Sequence, residues 1–390
     1  MKVVSTVLGI FLVCCVTCDG ARILGVFPIP SPSHNILGTR LMQELAHRGH
    51  EVTMVSPFPQ KESKNYKGVL LTGFVEKHKE ILDNVFEQNK GNFIQNIPRF
   101  SKVLTMYSEA TFNHTNFHNL LNSNETFDLI IIEAMFNEAH VGIGYYYSAP
   151  VIILSTVGSN WMVNKYVANP APASMVPDTF LGFPPRMNFV QRLLNTLGTG
   201  LMDLFHQFYH LRVQNDLLHE YFPHAPHLQD VIREHVSLLF LNADPSFDGA
   251  KPLMPNMVHI AADLGIGTTL AFDDITVDTF ADAIREVVNN KMYKLQARRR
   301  SSLIRDLPQR PLDTAMFWVE YVLRHRNISH LKSPAIYLEW YQINMLDIYA
   351  TLAAGVILVS ALSCLVVKKL CCSKKTEKKD QQDLKKKKRN

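Results

Sequence analysis

Four consecutive pieces decide the fold: Ile23-Leu-Gly-Val-Phe27; the breaker-rich Pro28-Ile-Pro-Ser-Pro-Ser-His34-Asn35; Leu37–Arg48; and Glu51-Val-Thr-Met-Val55. The first is a short apolar run suited to a buried parallel strand. Leu41, Met42 and Leu45 recur on one face of a helix, and Gly49 stops it. The fourth is a second strand, ended by Ser56-Pro-Phe-Pro59. Together they predict one strand–helix–strand unit, which crosses over right-handed in a parallel sheet.

The same rhythm continues outward. Val69–Phe74 reads as a strand, and residues 76–125 as a long, mostly helical stretch. Phe127-Asp-Leu-Ile-Ile-Ile132 is a near-continuous apolar run, the signature of a strand buried on both faces. Asn137–Tyr147 reads as a helix, while Pro150-Val-Ile-Ile-Leu154 and Ser237-Leu-Leu-Phe-Leu241 read as strands. The result is an α/β, doubly wound, Rossmann-like domain over residues 21–255. Asn169-Pro-Ala-Pro and Phe183-Pro-Pro are irregular linkers. Phe189–Phe222 is one or two amphipathic helices, whose leucines at 193, 194, 197, 201 and 204 serve core packing, an acceptor-pocket wall or a membrane-facing patch. From Ala261 the rhythm changes. Ile275–Val288, Met292–Arg305 and Leu312–His325 read as helices with almost no strand for them to cover.

The two ends carry addresses. Lys2 and the uncharged run Val3–Cys18, with small residues before Ala21, form a cleavable secretory signal over residues 1–20. Ile348–Val367 is a 20-residue uncharged run. It is long enough to cross about 30 Å of hydrocarbon. Lysines follow its exit, which places residues 368–390 in the cytosol and the body in the lumen. Lys387-Lys388-Arg389-Asn390 resembles a dilysine retrieval signal of the endoplasmic reticulum. Cys371 and Cys372 are juxtamembrane palmitoylation candidates. Asn113, Asn124 and Asn327 open glycosylation sequons.

Charge argues against one class of partner. The net charge is +5, but residues 368–390 alone hold 11 Lys/Arg against 3 Asp/Glu. The remaining body is weakly acidic, which disfavours a chain-wide basic face for nucleic acid, and no nucleic-acid partner is expected. All six cysteines lie at or before Cys18 or at or after Cys364, which rules out a disulfide framework or a cysteine zinc site in the body. The sequence has no Gly-x-Ser-x-Gly elbow, phosphate loop, His-Glu-x-x-His pair or Gly-x-Gly-x-x-Gly fingerprint after the first strand. No metal or bound cofactor is expected.

In an open parallel sheet, ligands bind beyond the carboxyl ends of the strands. His34 follows the first strand and Glu133 directly follows Leu129–Ile132. If those strands are neighbours, an imidazole and a carboxylate share one crevice. That is the pairing of a general base with its orienting group.

Several segments resemble the membrane-bound UDP-glycosyltransferases of animals, especially the insect type. They are Ile23-Leu-Gly-Val-Phe-Pro with Pro32-Ser-His34; His47-Arg-Gly-His-Glu-Val-Thr53; Phe127-Asp-Leu-Ile-Ile-Ile-Glu133; Asn169-Pro-Ala-Pro-Ala-Ser-Met-Val-Pro177; Arg310-Pro-Leu-Asp-Thr-Ala-Met-Phe-Trp-Val-Glu-Tyr-Val322; and His330-Leu-Lys. The resemblance implies a glycosyltransferase B-like fold with two facing Rossmann-like domains. The first takes a small lipophilic acceptor and the second a UDP-sugar, the co-substrate. Transfer of a hexosyl group inverts the sugar. The resemblance assigns the general base to His34 and the orienting carboxylate, often Asp, to Glu133. The family's donor signature (Trp-x-Pro-Gln, His-Gly-Gly, Gly-Val-Pro and Asp-Gln) has no counterpart in the body. Pro252–Val258 is followed after two residues by Ala261–Leu270, which resembles sequence downstream of that signature. Residues 261–345 are therefore expected to be a truncated, mainly helical remnant of the UDP-sugar domain. The alternative to a glycosyltransferase acting alone is a non-catalytic isoform that binds acceptors or modulates full-length relatives as a homo- or hetero-oligomer.

Overall fold

The computed structural model describes residues 20–88, 93–178, 181–184, 186–243, 251–260 and 306–365, together with Leu295, Arg298 and Ser302. The signal, the helices expected at 275–288 and 292–305, and the cytosolic tail lie outside the described residues almost entirely. The chain forms two compact units, residues 1–336 and 337–390.

Seven parallel strands build the sheet of the first unit: β1 (Arg22–Val26), β2 (Glu51–Ser56), β3 (Tyr66–Leu70), β4 (Leu129–Glu133), β5 (Val151–Ser155), β6 (Val236–Leu241) and β7 (Met257–His259). Their spatial order is β3-β2-β1-β4-β5-β6-β7. This is the doubly wound order, and it reverses direction between β1 and β4. The sheet therefore runs one strand beyond Ser237–Leu241. The third strand is Tyr66–Leu70 rather than Val69–Phe74. It is the sheet edge, where exposed Lys67 is tolerated, and the turn at Gly73 (φ 80°) ends the extended run before a helix begins at Phe74.

Side-chain alternation divides the strands between two cores. Leu24, Ile130, Ile132, Val151, Ile153, Leu239 and Leu241 face the larger core, shared with α3 (Phe93–Asn113), α4 (Thr115–Leu121), α5 (Gly142–Tyr147), α6 (Trp161–Lys165), α8 (Leu211–Tyr221) and α9 (Leu228–His235). Ile23, Val52, Met54, Leu129, Ile131, Ile152, Leu238 and Phe240 face the other. There they meet Leu41, Met42 and Leu45 of α1 (Pro32–His47).

That second face also receives α10 (Pro311–His325), through Ala315, Met316, Val319 and Val322. The sequence predicts helices here with no sheet to cover. The structure differs: the apolar residues of α10 recur at helical spacing and join the core on that face of the first half's sheet. Arg48 at the end of α1 reaches Asp313 and Glu320 of α10, each at 3.2 Å. These partly exposed pairs fix position more than they stabilise.

Helix α1 begins earlier than the sequence predicts. Pro32 occupies its first turn, where a proline costs no hydrogen bond and its φ is preset for the helix. His34 thus sits in the first turn of a helix, not in a loop. Close packing holds α1 on β1. A Cβ added at Gly38 would lie 2.5 Å from the ring of buried Phe27. Gly38→Ala is therefore expected to lower the thermal midpoint despite alanine's better helix propensity, since overpacking a tight core costs about 1–3 kcal/mol.

Between α6 and α8, helix α7 (Phe189–Phe205) starts on an Asn188/Gln191 capping box. It passes through one π-type turn, His206–His210, into α8. Its leucines do not join the core; they face outward. In the second unit, helix Leu346–Leu365 is long and apolar enough to cross a membrane, and all of it is exposed.

Candidate active site

Strands β1 and β4 are hydrogen-bonded neighbours, with Ile23 opposite Leu129 and Val26 opposite Ile132. Their carboxyl ends flank the point where strand order reverses. His34 approaches that crevice from the first turn of α1, and Glu133 is the last residue of β4. The structure brings the two residues together: His34 Nδ1 is hydrogen-bonded to Glu133 Oε1. Thr156 Oγ1, just beyond β5, lies 3.3 Å from the same nitrogen.

This contact sets the ring's tautomer. A carboxylate only accepts, so Nδ1 carries the proton and donates it to Glu133. Nε2 then holds the free lone pair, and it has no hydrogen-bond partner among the described residues. The His34 side chain is 18% exposed while that of Glu133 is fully buried. The imidazole thus presents its basic nitrogen to the crevice and keeps its acidic side inside the protein. A base that gains a proton at Nε2 here is stabilised by a fixed anion behind it.

The supporting shell is ordered. Phe136 adopts a left-handed backbone (φ 52°), unusual for a bulky residue. Asn137 clamps this turn. Its Oδ1 accepts from the Met135 amide at 2.7 Å, and its Nδ2 donates to the Glu133 carbonyl and to His140 Nδ1, each at 2.8 Å. The strain is thereby tied to the residue that holds the carboxylate. On the α1 side, Asn35 Oδ1 accepts from Ser56 Oγ at 2.8 Å and from Gln60 Nε2 at 3.3 Å. A second histidine, His78 in helix α2 (Phe74–Gln88), is hydrogen-bonded through Nδ1 to the Tyr107 hydroxyl at 2.7 Å. Burial, and then repulsion from a protonated His34, hold the His78 pKa below its ordinary value. Burial pushes the Tyr107 hydroxyl up to about 12.

Sequence reasoning missed a second buried cluster. Glu138 Oε2 accepts from His210 Nε2 at 2.7 Å, and Glu138 Oε1 lies 3.2 Å from His206 Nε2. His210 Nδ1 faces Ser101 Oγ at 2.8 Å. Burial opposes ionisation of Glu138, but the two histidines outweigh it and hold the carboxyl well below the usual range. The signal was the i, i+4 spacing of His206 and His210; the π-type turn that aims both rings at one carboxylate has no sequence mark. The i, i+4 pair His114/His118 is a local feature. His114 caps α4 by accepting from the Asn116 amide, and His118 is hydrogen-bonded to Asn122. No group of three or more His, Cys, Asp or Glu among the described residues could hold a metal ion.

Set beside known proteins, the chain matches the family model "UDP-glucoronosyl and UDP-glucosyl transferase" over residues 24–266 and 262–382. It is similar to UDP-glucosyltransferase 2 of Dactylopius coccus, at 25% identity across 88% of this chain and 92% of that one. That alignment is 483 positions long, more than this chain's 390 residues, so the relative has sequence opposite no residue here. A 95-residue segment is 46% identical to UDP-glucuronosyltransferase 1A9 of Mus musculus, covering 24% of this chain and 18% of the mouse protein. Among solved structures, the glycotransferase of kitacinnamycin aligns at 13% identity with a TM-score of 0.37, over 65% of this chain and 54% of that one. LpCGTa in complex with UDP aligns at 12% identity with a TM-score of 0.27, over 67% and 56%. The chain spans about half the length of these structures.

Proposed function

The chain belongs to the UDP-glucoronosyl and UDP-glucosyl transferase family, and on that premise we propose that its crevice at the β1/β4 reversal binds a small lipophilic hydroxyl compound and activates it with His34. The observation that carries this reading is the buried Glu133 carboxylate behind an imidazole whose Nε2 is open. In the proposed chemistry, Nε2 takes the proton of the acceptor hydroxyl as its oxygen attacks the anomeric carbon of a UDP-sugar. UDP leaves from the opposite face, so configuration inverts. Proton transfer to a positioned base typically contributes about 10²–10⁴-fold, and Glu133 supports it by stabilising the imidazolium that forms.

The UDP-sugar site is the part this chain lacks. The absence of the donor motifs, the length of the insect alignment, and the meeting of the two family-model segments at residues 262–266 all support a missing block. The chain is thus an acceptor-binding, base-bearing member of the family that does not turn over UDP-sugars alone; pairing with full-length relatives is the corresponding cellular role. An assay of the purified full chain with UDP-glucose, UDP-glucuronic acid and 1-naphthol checks this. The expected result is no transfer. Transfer abolished by His34→Ala overturns the missing-donor reading and keeps the base.

For location we propose a single-pass protein of the endoplasmic reticulum membrane, body in the lumen. Helix Leu346–Leu365 and the lysine-rich residues after it support this orientation. Asn113, Asn124 and Asn327 are all exposed, as glycosylation acceptors must be.

A further inference from the structure

Among the described residues of the first unit, one helix carries a concentrated apolar surface. Nine large apolar side chains on α7 and its π-type turn are exposed: Phe189, Val190, Leu193, Leu194, Leu197, Leu201, Leu204, Phe208 and Tyr209. They recur three or four residues apart and so form one stripe. Between Arg192 and Asp203 no residue is charged.

The helix is firmly seated by its other side, so the stripe faces outward by construction. Asn195 is buried; its Oδ1 accepts from the Asp178 amide at 2.8 Å, and its Nδ2 donates to the carbonyls of Ala173 and Val176 at 2.8 and 2.9 Å. Met202 enters the core, and Asp203 pairs with Lys165 at 2.7 Å. A monomeric soluble surface rarely leaves so large an apolar patch in water.

We propose that this stripe is a membrane-surface contact: α7 lies in the plane of a bilayer with its leucines in the boundary between headgroups and acyl chains. The inference rests on the proposed anchoring of the chain by Leu346–Leu365. Only nine residues separate Ile336, the end of the first unit, from that helix. Fully extended, such a segment reaches about 35 Å at most, so the first unit is never far from lipid. The patch is chiefly aliphatic. Protein–protein hot spots favour Trp, Tyr and Arg and under-use Leu, whereas an interfacial helix needs an apolar face buried roughly 5–10 Å deep. Exposed Arg186 and Arg192 stand at one end and exposed Arg212 at the other, suited to lipid phosphates.

The test uses the full chain in phosphatidylcholine vesicles, with its six native cysteines replaced by serine. An environment-sensitive fluorophore is attached through Leu197→Cys, Leu358→Cys or Glu62→Cys, each an exposed position. Lipids brominated near the headgroup end of the chains quench fluorophores in the boundary region, and lipids brominated further down the chains, used in a parallel set of vesicles, quench those in the hydrocarbon core. The expected result is a clear loss of emission at position 197 in vesicles brominated near the headgroup end, a clear loss at position 358, and none at position 62. Quenching at 358 without quenching at 197 overturns the surface contact and leaves the anchor standing. No quenching at either position overturns both. A fluorophore at 197 that is shielded from water, unquenched by bromolipid and self-quenched between labelled chains assigns the stripe to a second copy and also overturns the proposal.

Discussion

Glu138→Ala is expected to cost about 3–5 kcal/mol of stability, the cost of stripping one partner from a buried ion pair. The magnitude follows from what is left behind. His206 and His210 both spend their Nε2 on this carboxylate, and neither can reach water. The damage also spreads through the π-type turn, since that turn exists in a geometry that points both rings inward. Thermal or urea unfolding of the variant measures the loss. Glu138→Gln, which retains one acceptor and loses the charge, should fall between the variant and the native chain. A Glu138→Ala chain as stable as the native one would mean that the cluster contributes nothing.

The second large effect is a pH dependence centred on His140. Its ring is fully buried, and burial pushes its pKa down to about 3, so it is neutral in the native state. An unfolded histidine titrates near 6.5. Between these values the unfolded chain binds a proton that the native chain refuses, so stability falls as pH falls. The loss begins near pH 6.5, reaches roughly 3 kcal/mol by pH 4.5, and ends near pH 3. Glu138 acts in the same direction over a lower range. Its carboxyl is depressed in the native state, so its contribution is complete above the ordinary carboxylate pKa and is lost as pH falls below it. Acid unfolding should therefore begin above pH 5 and steepen below it. His140→Phe removes the first part. Phenylalanine keeps the packing against Phe112, whose ring centroid lies 5.0 Å from that of His140, and gives up the hydrogen bond from Asn137 Nδ2, a loss that does not vary with pH. An acid midpoint that does not move in His140→Phe would assign the early loss to other groups.

The sheet was largely legible because its central strands are near-continuous apolar runs. Leu129–Ile132, Val151–Leu154 and Ser237–Leu241 leave no other placement than burial on both faces. The candidate pair was legible for the same reason. A polar residue closing such a strand, Glu133, stands at the sheet's carboxyl edge wherever the strand lies, and the doubly wound order then brings His34 beside it. Besides the Glu138 cluster, strand β7 and the bounds of β3, three things escaped. The start of α1 was hidden because Pro32 and Ser33 read as loop, although a proline fits a first helical turn. The seating of α10 on the second face was hidden because the strands β4, β5 and β6 of that face lie 70 or more residues earlier in the chain. The leucines of α7 were ambiguous because an amphipathic pattern gives the width of an apolar face and not its direction; only the buried Asn195 and Met202 on the opposite side settle that it points outward.

The central claim is that the β1/β4 crevice holds a hydroxyl acceptor against His34 as a base poised by Glu133. The most direct measurement titrates the full chain with a phenol whose absorbance reports its ionisation, such as 4-nitrophenol, slightly below the phenol's own pKa. It needs no UDP-sugar. The native chain should bind the phenol saturably and shift it toward phenolate; His34→Ala should bind it without that shift, and Glu133→Leu should reduce the shift. Saturable binding with the same ionisation in the native chain and in His34→Ala would contradict the assignment of the base.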